Sequence, residues 1–139
     1  MEKFAHELVP GDSYEPLEII VEPALNQQIL FAQEEFDARY VAGGEEEAPM
    51  INPALLLQLA ANTRSPSFKL ADGTGSVLAE THTRFLRPAY VGERLRVSWR
   101  VTGAYEKRGR RYYVMETSME NGDGAVVLRR DLHLTFFGA

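Results

Sequence analysis

The chain has 139 residues, 45% of them hydrophobic, which is long enough for one domain with a core and too short for two ordinary domains. It has no cysteine, which excludes disulfides, thiolate ligands and a cysteine nucleophile, and its net charge of -5 argues against a general nucleic-acid binder. No apolar run is long enough to cross a bilayer and residues 1–10 lack a signal-peptide pattern, so we expect a cytoplasmic protein that does not contact membranes.

The first part of the chain predicts an arm, a strand and a helix. Residues 1–16 show no sustained periodicity and are expected to form an N-terminal arm that packs across the domain. Residues 17–21 are rich in β-branched side chains and predict a short strand. Pro23 suits the first turn of a helix that should end near residues 37–40. The expected apolar stripe of this helix consists of Leu25, Ile29 and Phe36.

The middle of the chain predicts a loop followed by a buried helix. Residues 41–49 contain two glycines, three consecutive acids and a proline, which is typical of a loop. A solvated connector is favoured over a mobile flap covering a site. Asn52 is a good N-cap and Pro53 a good first helical residue, and the apolar residues that follow cover most of the helix circumference. Such a helix must be surrounded, and a curved antiparallel sheet is its natural wrapper.

The rest of the chain predicts strands, over about residues 76–87, 93–106, 110–121 and 125–137. In the second of them, apolar residues occupy every other position from Leu95 to Val101 and polar residues lie between them, so one face should be buried. Residues 121–124 read Asn-Gly-Asp-Gly and predict a hairpin turn. Apolar residues share one parity of the last strand, and only Arg130 interrupts them.

The stretch from Thr83 to Val97 carries a resemblance to a known family. It reads as a strand, a corner at Pro88, a turn at Gly92 and an alternating second strand. Together with the helix start in residues 51–57, it resembles the hot-dog fold of the MaoC-like dehydratases, especially the half-domains related to the fatty acid synthase dehydratase. The resemblance implies one α+β domain over residues 1–139, in which about five antiparallel strands wrap around a central helix.

The same resemblance implies an activity on acyl thioesters of coenzyme A or acyl carrier protein. MaoC-like hydratases add or remove water across an enoyl thioester with an aspartate and a histidine, in the motif Asp-x-Asn-Pro-x-His. Asp37 is the best match to its first residue, and Tyr40 is a candidate helper. Arg39, Tyr40 and Ala42 stand where the motif has asparagine, proline and histidine. The acid–base pair is therefore incomplete, and an exposed acidic helix end explains Asp37 equally well.

The three histidines do not restore this pair. His6 lies in the arm, whereas His82 and His133 lie within strands. A cluster of Glu80 and His82 on one strand face is conceivable, although a solvated face is the simpler interpretation. The histidine spacing indicates no metal site, and we expect neither a metal nor a cofactor.

The helix start at Asn52, Pro53 and Ala54 is a candidate thioester-binding element. Backbone N–H groups and the helix dipole at such a terminus can polarise a carbonyl. A plain, well-capped core helix is the alternative.

A basic cluster is the candidate contact for coenzyme A phosphates or for an acidic carrier protein. It consists of Lys107, Arg108, Arg110 and Arg111 at a strand connection. Further members are Arg64, Arg84 and Arg87, if the fold brings them to the same groove. Solvated turn charges would give the same sequence pattern, and the two interpretations stay open.

Three functions remain open from the sequence. The first is an (R)-specific enoyl thioester hydratase or dehydratase. The second, which the missing histidine favours, is a subunit that binds acyl groups and pairs with a partner carrying the complete motif. The third is an acyl thioesterase, which is less favoured because the central helix offers Gln58 and Asn62 but no acid. An unpaired edge strand predicts a homodimer or a hetero-oligomer with another hot-dog subunit.

Overall fold

The computed structural model describes residues 3–44 and 47–138. Within them the chain forms three α-helices and five strands. The helices are α1 (Pro23–Gln33), α2 (Ala38–Val41) and α3 (Pro53–Leu59). The strands are β1 (Leu17–Ile20), β2 (Thr74–Phe85), β3 (Arg94–Lys107), β4 (Arg110–Glu120) and β5 (Val126–Gly138). No helix in the described part of the chain is long and apolar enough to span a membrane.

The strands form one antiparallel sheet in the order β1-β3-β4-β5-β2. The β4–β5 turn forms as its sequence predicts, because Oδ1 of Asn121 accepts hydrogen bonds from the N–H groups of Asp123 and Ala125. Residues 11–14 follow the edge of β3, where N–H of Gly11 donates to Val101 O at 2.8 Å and N–H of Tyr14 donates to Trp99 O at 3.0 Å. The arm and β1 therefore cover one edge of the sheet, and β2 forms the other.

Helix α3 packs against the concave face of the curled sheet. Leu55, Leu56 and Leu59 are buried, and they join a core built from the alternating residues of β3 and from β4 and β5. The indole N–H of Trp99 donates to Ala60 O at 2.9 Å and ties the end of α3 to β3. The predicted hot-dog architecture, with its N-cap at Asn52 and its buried parity on β3, is confirmed.

Replacing Trp99 by phenylalanine should lower the free energy of unfolding by about 2 kcal/mol, because the smaller ring leaves a void and Ala60 O loses its buried donor. Trp99 is only 1% exposed, so water cannot replace the indole. The midpoint and slope of urea unfolding would measure the change. A midpoint equal to that of the unmodified protein would contradict this account.

The first helix differs from its prediction in two ways. It ends at Gln33 rather than near residues 37–40, because Glu34 adopts a left-handed conformation (φ 55°) whose N–H caps the helix. The expected apolar stripe was also wrong at two of its three positions, since Leu25 is 40% and Phe36 is 65% exposed. Only Ile29 is partly buried and packs against the core. The buried positions of α1 are Asn26 and Leu30.

The acidic loop over residues 41–49 begins with the last residue of α2. Glu45 and Glu46 lie outside the described residues. N–H of Gly44 donates to Glu47 O at 3.2 Å, which closes the described part of the loop on itself. The choice between a connector and a flap stays a prediction.

Candidate functional site

The N-terminus of α3 is capped by its own sequence. The side chain of Asn52 accepts a hydrogen bond from N–H of Ala54 at 2.9 Å, and Asn52 O accepts one from N–H of Leu55 at 3.0 Å. Pro53 has no N–H. The first turn therefore presents no free backbone donor to a carbonyl. Nδ2 of Asn52 makes no hydrogen bond to the described residues, so this amide is the donor that the cap still offers.

Asn26 joins three segments at this cap. It is 2% exposed, and its amide donates to Met50 O at 3.1 Å and to Tyr40 O at 3.3 Å. Its carbonyl accepts a hydrogen bond from N–H of Asn52 at 3.0 Å. N–H of Met50 also donates to Arg39 O at 2.7 Å. The side chain of Asn26 therefore fixes α1 and α2 against the segment that leads into α3.

An apolar slot of about 300 Å³ opens beside the capped end of α3. One wall comes from the helix and the residues before it, and the other from the corner that follows β2. Arg87 lies at its rim, where Nε donates to Val126 O at 3.0 Å. The apolar lining includes Met50, Pro53, Leu56, Phe85, Leu86 and Pro88. We call this cavity the cap slot.

The structure places Asp37 on the surface as the N-cap of α2. Its Oδ1 accepts hydrogen bonds from the backbone N–H of Arg39 at 3.0 Å and from Nε of Arg39 at 2.9 Å. These bonds hold the pKa of the Asp37 carboxyl below its usual value, with the backbone bond as the first cause. A carboxylate stabilised in this way is a weaker base. It also stays ionised near neutral pH and therefore carries no proton to donate. Tyr40 lies on α2 and enters the Asn26 network only through its backbone carbonyl.

Two of the histidines meet on the opposite side of the sheet. Nε2 of His82 lies 3.1 Å from Oε1 of Glu80, and Oη of Tyr105 lies 2.9 Å from Nδ1 of His133. Glu80 pairs with His133, whose neighbours Leu132 and Leu134 point into the core, so the cluster lies on the convex face. The sheet therefore separates these imidazoles from Asp37 and the cap slot. Among the described residues, no group of acidic and histidine side chains could hold a metal ion.

Of the candidate arginines, Arg87 lies at the rim of the cap slot, whereas Arg64 and the arginines of the β3–β4 turn do not converge on it within one chain. Arg64 follows α3, and its Nε donates to Gln58 O at 3.0 Å, so it lies at the end of the helix opposite the cap. Arg108, Arg110 and Arg111 surround the β3–β4 turn. Leu95 lies at the start of β3, six residues after Ala89 of the slot lining. The turn lies at the other end of β3, about 40 Å along the strand at roughly 3.3 Å per residue.

Sequence reasoning missed two parts of this site. Asn26 appeared as a polar position on a helix whose apolar face was misassigned, and its partners are 14 to 26 residues away in the chain. The slot wall at residues 85–89 was noted only as a proline corner. Its position at the capped end of α3 depends on the strand order, which places β2 at the edge of the sheet.

Solved structures share this architecture. The (R)-hydratase of A. caviae involved in PHA biosynthesis superposes with a TM-score of 0.74 at 18% identity, over 94% of this chain and 98% of that one. The MaoC-like dehydratase of Rhodospirillum rubrum gives 0.75 at 20% identity, over 99% and 98%. The HadBC 3R-hydroxyacyl-ACP dehydratase complex of Mycobacterium tuberculosis gives 0.74 at 19% identity, over 94% and 98%.

These likenesses and the wrapped helix place the protein in the hot-dog fold class, with the architecture of MaoC-like dehydratases and (R)-hydratases. At such low identity they establish the fold alone. The sequence profile of the thioesterase superfamily matches residues 53–128, and the chain belongs to that superfamily. No curated protein matches it significantly in sequence.

Proposed function

We propose that the protein binds acyl thioesters of coenzyme A or acyl carrier protein, as a hot-dog subunit of the hydratase and dehydratase type that lacks a complete catalytic pair of its own. The observation that carries this proposal is the apolar cap slot, whose lining includes no acidic side chain and no histidine among the described residues. Asp37, the candidate from the motif, has an arginine and not an imidazole as its partner. A slot lined by apolar side chains gains about 0.8 kcal/mol for each methylene that leaves water.

The side chains around the slot support binding more than proton transfer. The amide of Asn52 is a donor for the thioester carbonyl, although the backbone N–H of Ala54 is engaged. Hydration needs one group to take a proton while another delivers one. Asp37 is bound to Arg39, and the histidines of β2 and β5 lie on the convex face, so the residues that the structure describes bring no acid–base pair to the slot.

A partner subunit would supply what is missing. HadBC, a 3R-hydroxyacyl-ACP dehydratase, is itself a complex. Within the described residues β2 pairs only with β5, so its other edge is available for the edge strand of another hot-dog subunit. Arg87 at the slot rim is a cation available to the phosphates of coenzyme A. The hairpin arginines Arg108, Arg110 and Arg111 would then meet a ligand held by a neighbouring subunit.

The direct test is calorimetric titration of butyryl-CoA together with an assay of crotonyl-CoA hydration. We expect the purified chain to bind butyryl-CoA and to hydrate crotonyl-CoA only after a hot-dog subunit with the full aspartate–histidine motif is added. Hydration by the purified chain alone, abolished by Asp37→Asn, would show that it is a complete hydratase. The proposal would be refuted if the chain bound no butyryl-CoA, either alone or after the second subunit is added.

Leu86→Gln should weaken butyryl-CoA binding about tenfold, because the substitution places an amide in the apolar wall of the slot. Leu86 is 46% exposed, so the variant should keep its fold. Leu70→Gln is the matched control, since Leu70 is 37% exposed and lies outside the slot. Equal affinity in the two variants would mean that the acyl chain binds elsewhere.

An acyl thioesterase is the second candidate, favoured by the superfamily match. A hot-dog thioesterase usually needs a carboxylate on or beside the central helix to direct water, and α3 carries none. Release of free thiol from acyl-CoA by the purified chain would favour this alternative.

A further inference from the structure

Arg130 breaks the apolar pattern of β5 on the face that is buried. Leu128 and Leu132, two residues before and after it, are 0% and 2% exposed and point toward the core. Its cross-strand neighbour on β4 is Thr117, which in turn pairs with Trp99 on β3. Arg130 therefore places a guanidinium on the concave face, the same face against which α3 packs.

The guanidinium has no anionic partner among the described residues. Its Nε donates to Oγ1 of Thr81 at 3.0 Å, and it takes part in no ion pair. Burial lowers the pKa of Arg130 because the charged form loses hydration. A half-buried cation that meets only a neutral hydroxyl pays a desolvation cost that a carboxylate would offset.

A second polar group beside Arg130 also lacks a partner. Thr117 is completely buried, and its Oγ1 makes no hydrogen bond within the described part of the chain. Buried hydroxyl groups are normally satisfied, so an orphan beside a half-buried cation marks a polar site that is incomplete in the isolated chain. Thr83, which faces Arg130 from β2, adds another hydroxyl to this position.

This position adjoins the cap slot. Phe85, which lines the slot, pairs with Leu128, so it lies one step along the same face from the pair of Thr83 and Arg130. Two residues along a strand span about 7 Å. An acyl chain lying in the slot can therefore extend toward the guanidinium by crossing one row of side chains.

We infer that the ligand is an acyl thioester whose acyl group ends in a carboxylate, and that Arg130, assisted by Thr81, holds this carboxylate. The inference rests on the proposed function, because it assigns the substrate class of the same slot. A carboxylate supplied by a second copy of the chain has the same chemistry. The acyl source is preferred because Arg130 lies on the same face of the sheet as Phe85 of the slot lining, one residue pair further along.

The first test compares adipoyl-CoA with hexanoyl-CoA, which differ only in the terminal carboxylate, by calorimetry at low salt. The unmodified protein should bind adipoyl-CoA at least tenfold more tightly. Arg130→Met should abolish this preference while leaving the affinity for hexanoyl-CoA unchanged, because methionine fills the space of the arginine stem without its charge. Arg129→Met is the matched control, since Arg129 is exposed and points to the opposite face. Equal affinity for both thioesters overturns the inference and leaves the proposed function standing.

The second test uses small ligands that contain no coenzyme A. Free adipate, but not its uncharged diamide adipamide, should raise the unfolding temperature of the unmodified protein and of Arg129→Met, and it should leave that of Arg130→Met unchanged. This result would support the site even if neither thioester bound. If Arg130→Met dissociates a dimer in light scattering and adipate stabilises every variant equally, the carboxylate belongs to a second copy and the inference is wrong. Should Arg130→Met fail to fold, Arg130→Lys keeps the charge and should retain part of the preference for adipoyl-CoA.

Discussion

Replacement of Asn26 by leucine should lower the free energy of unfolding by about 4 kcal/mol, more than any surface substitution in this chain. The leucine leaves three backbone groups without partners in a buried place, namely the carbonyls of Tyr40 and Met50 and the N–H of Asn52. Each unsatisfied buried group costs about 1–3 kcal/mol. Urea unfolding monitored by tryptophan fluorescence would measure the loss.

Asn62→Leu is the matched control for this substitution. Asn62 is half-buried, and its side chain makes no hydrogen bond to the described residues, so its replacement should change stability by less than about 1 kcal/mol. Asn26→Asp separates the two halves of the network. Aspartate keeps the acceptor for Asn52 but turns a carboxylate toward two carbonyl oxygens, and it should be at least as destabilising as leucine. Equal stability of Asn26→Leu and Asn62→Leu would mean that the network contributes little.

The same residue shows where sequence reasoning stops. The cap of α3 was predictable because Asn52 and Pro53 act on backbone groups within two residues of themselves. The buried parity of β3 was predictable because alternation is a local signal. The burial of Asn26 was not predictable, since it depends on hydrogen bonds to segments 14 to 26 residues away.

The residues of the candidate site also have some features that the local sequence predicts and others that depend on distant segments. Asp37 was found by its position in the motif. Its bond to Arg39 depends on the short helix α2 that Asp37 caps, and the sequence pattern predicted one helix from Pro23 to about residues 37–40 instead of two. The interruption at Arg130 was visible as a break in parity. Its neighbours Thr117 and Thr81 emerge only from the pairing of β5 with β4 and β2, because register is set by turns and bulges elsewhere in the sheet.

The open edge of β2 has a consequence for the cap slot. Phe85 and Leu86, which form its outer wall, are 47% and 46% exposed, so the slot is open toward the side on which another strand would add. An acyl chain in an open groove loses less contact with water than one in a closed tunnel. We therefore expect the tight-binding form of the protein to be an assembly in which a second hot-dog subunit covers the β2 edge.

Lysines at two β2 positions should prevent this assembly. Val77 and Leu78 are 47% and 45% exposed on the edge strand and lie outside the slot lining. Two charges brought into a pairing edge should cost about 3 kcal/mol of association, which raises the dissociation constant about a hundredfold. Light scattering at micromolar concentration should therefore report a dimer for the unmodified protein and a monomer for the variant with Val77→Lys and Leu78→Lys.

The matched control carries Val9→Lys and Leu70→Lys, which add the same charge at similarly exposed positions away from β2. It should remain a dimer and keep its affinity for butyryl-CoA, whereas the β2 variant should lose affinity together with its partner. An unmodified protein that is monomeric but binds butyryl-CoA normally would contradict the link between the edge and the slot. In that case the groove between α3 and β2 would hold the acyl chain without a second subunit.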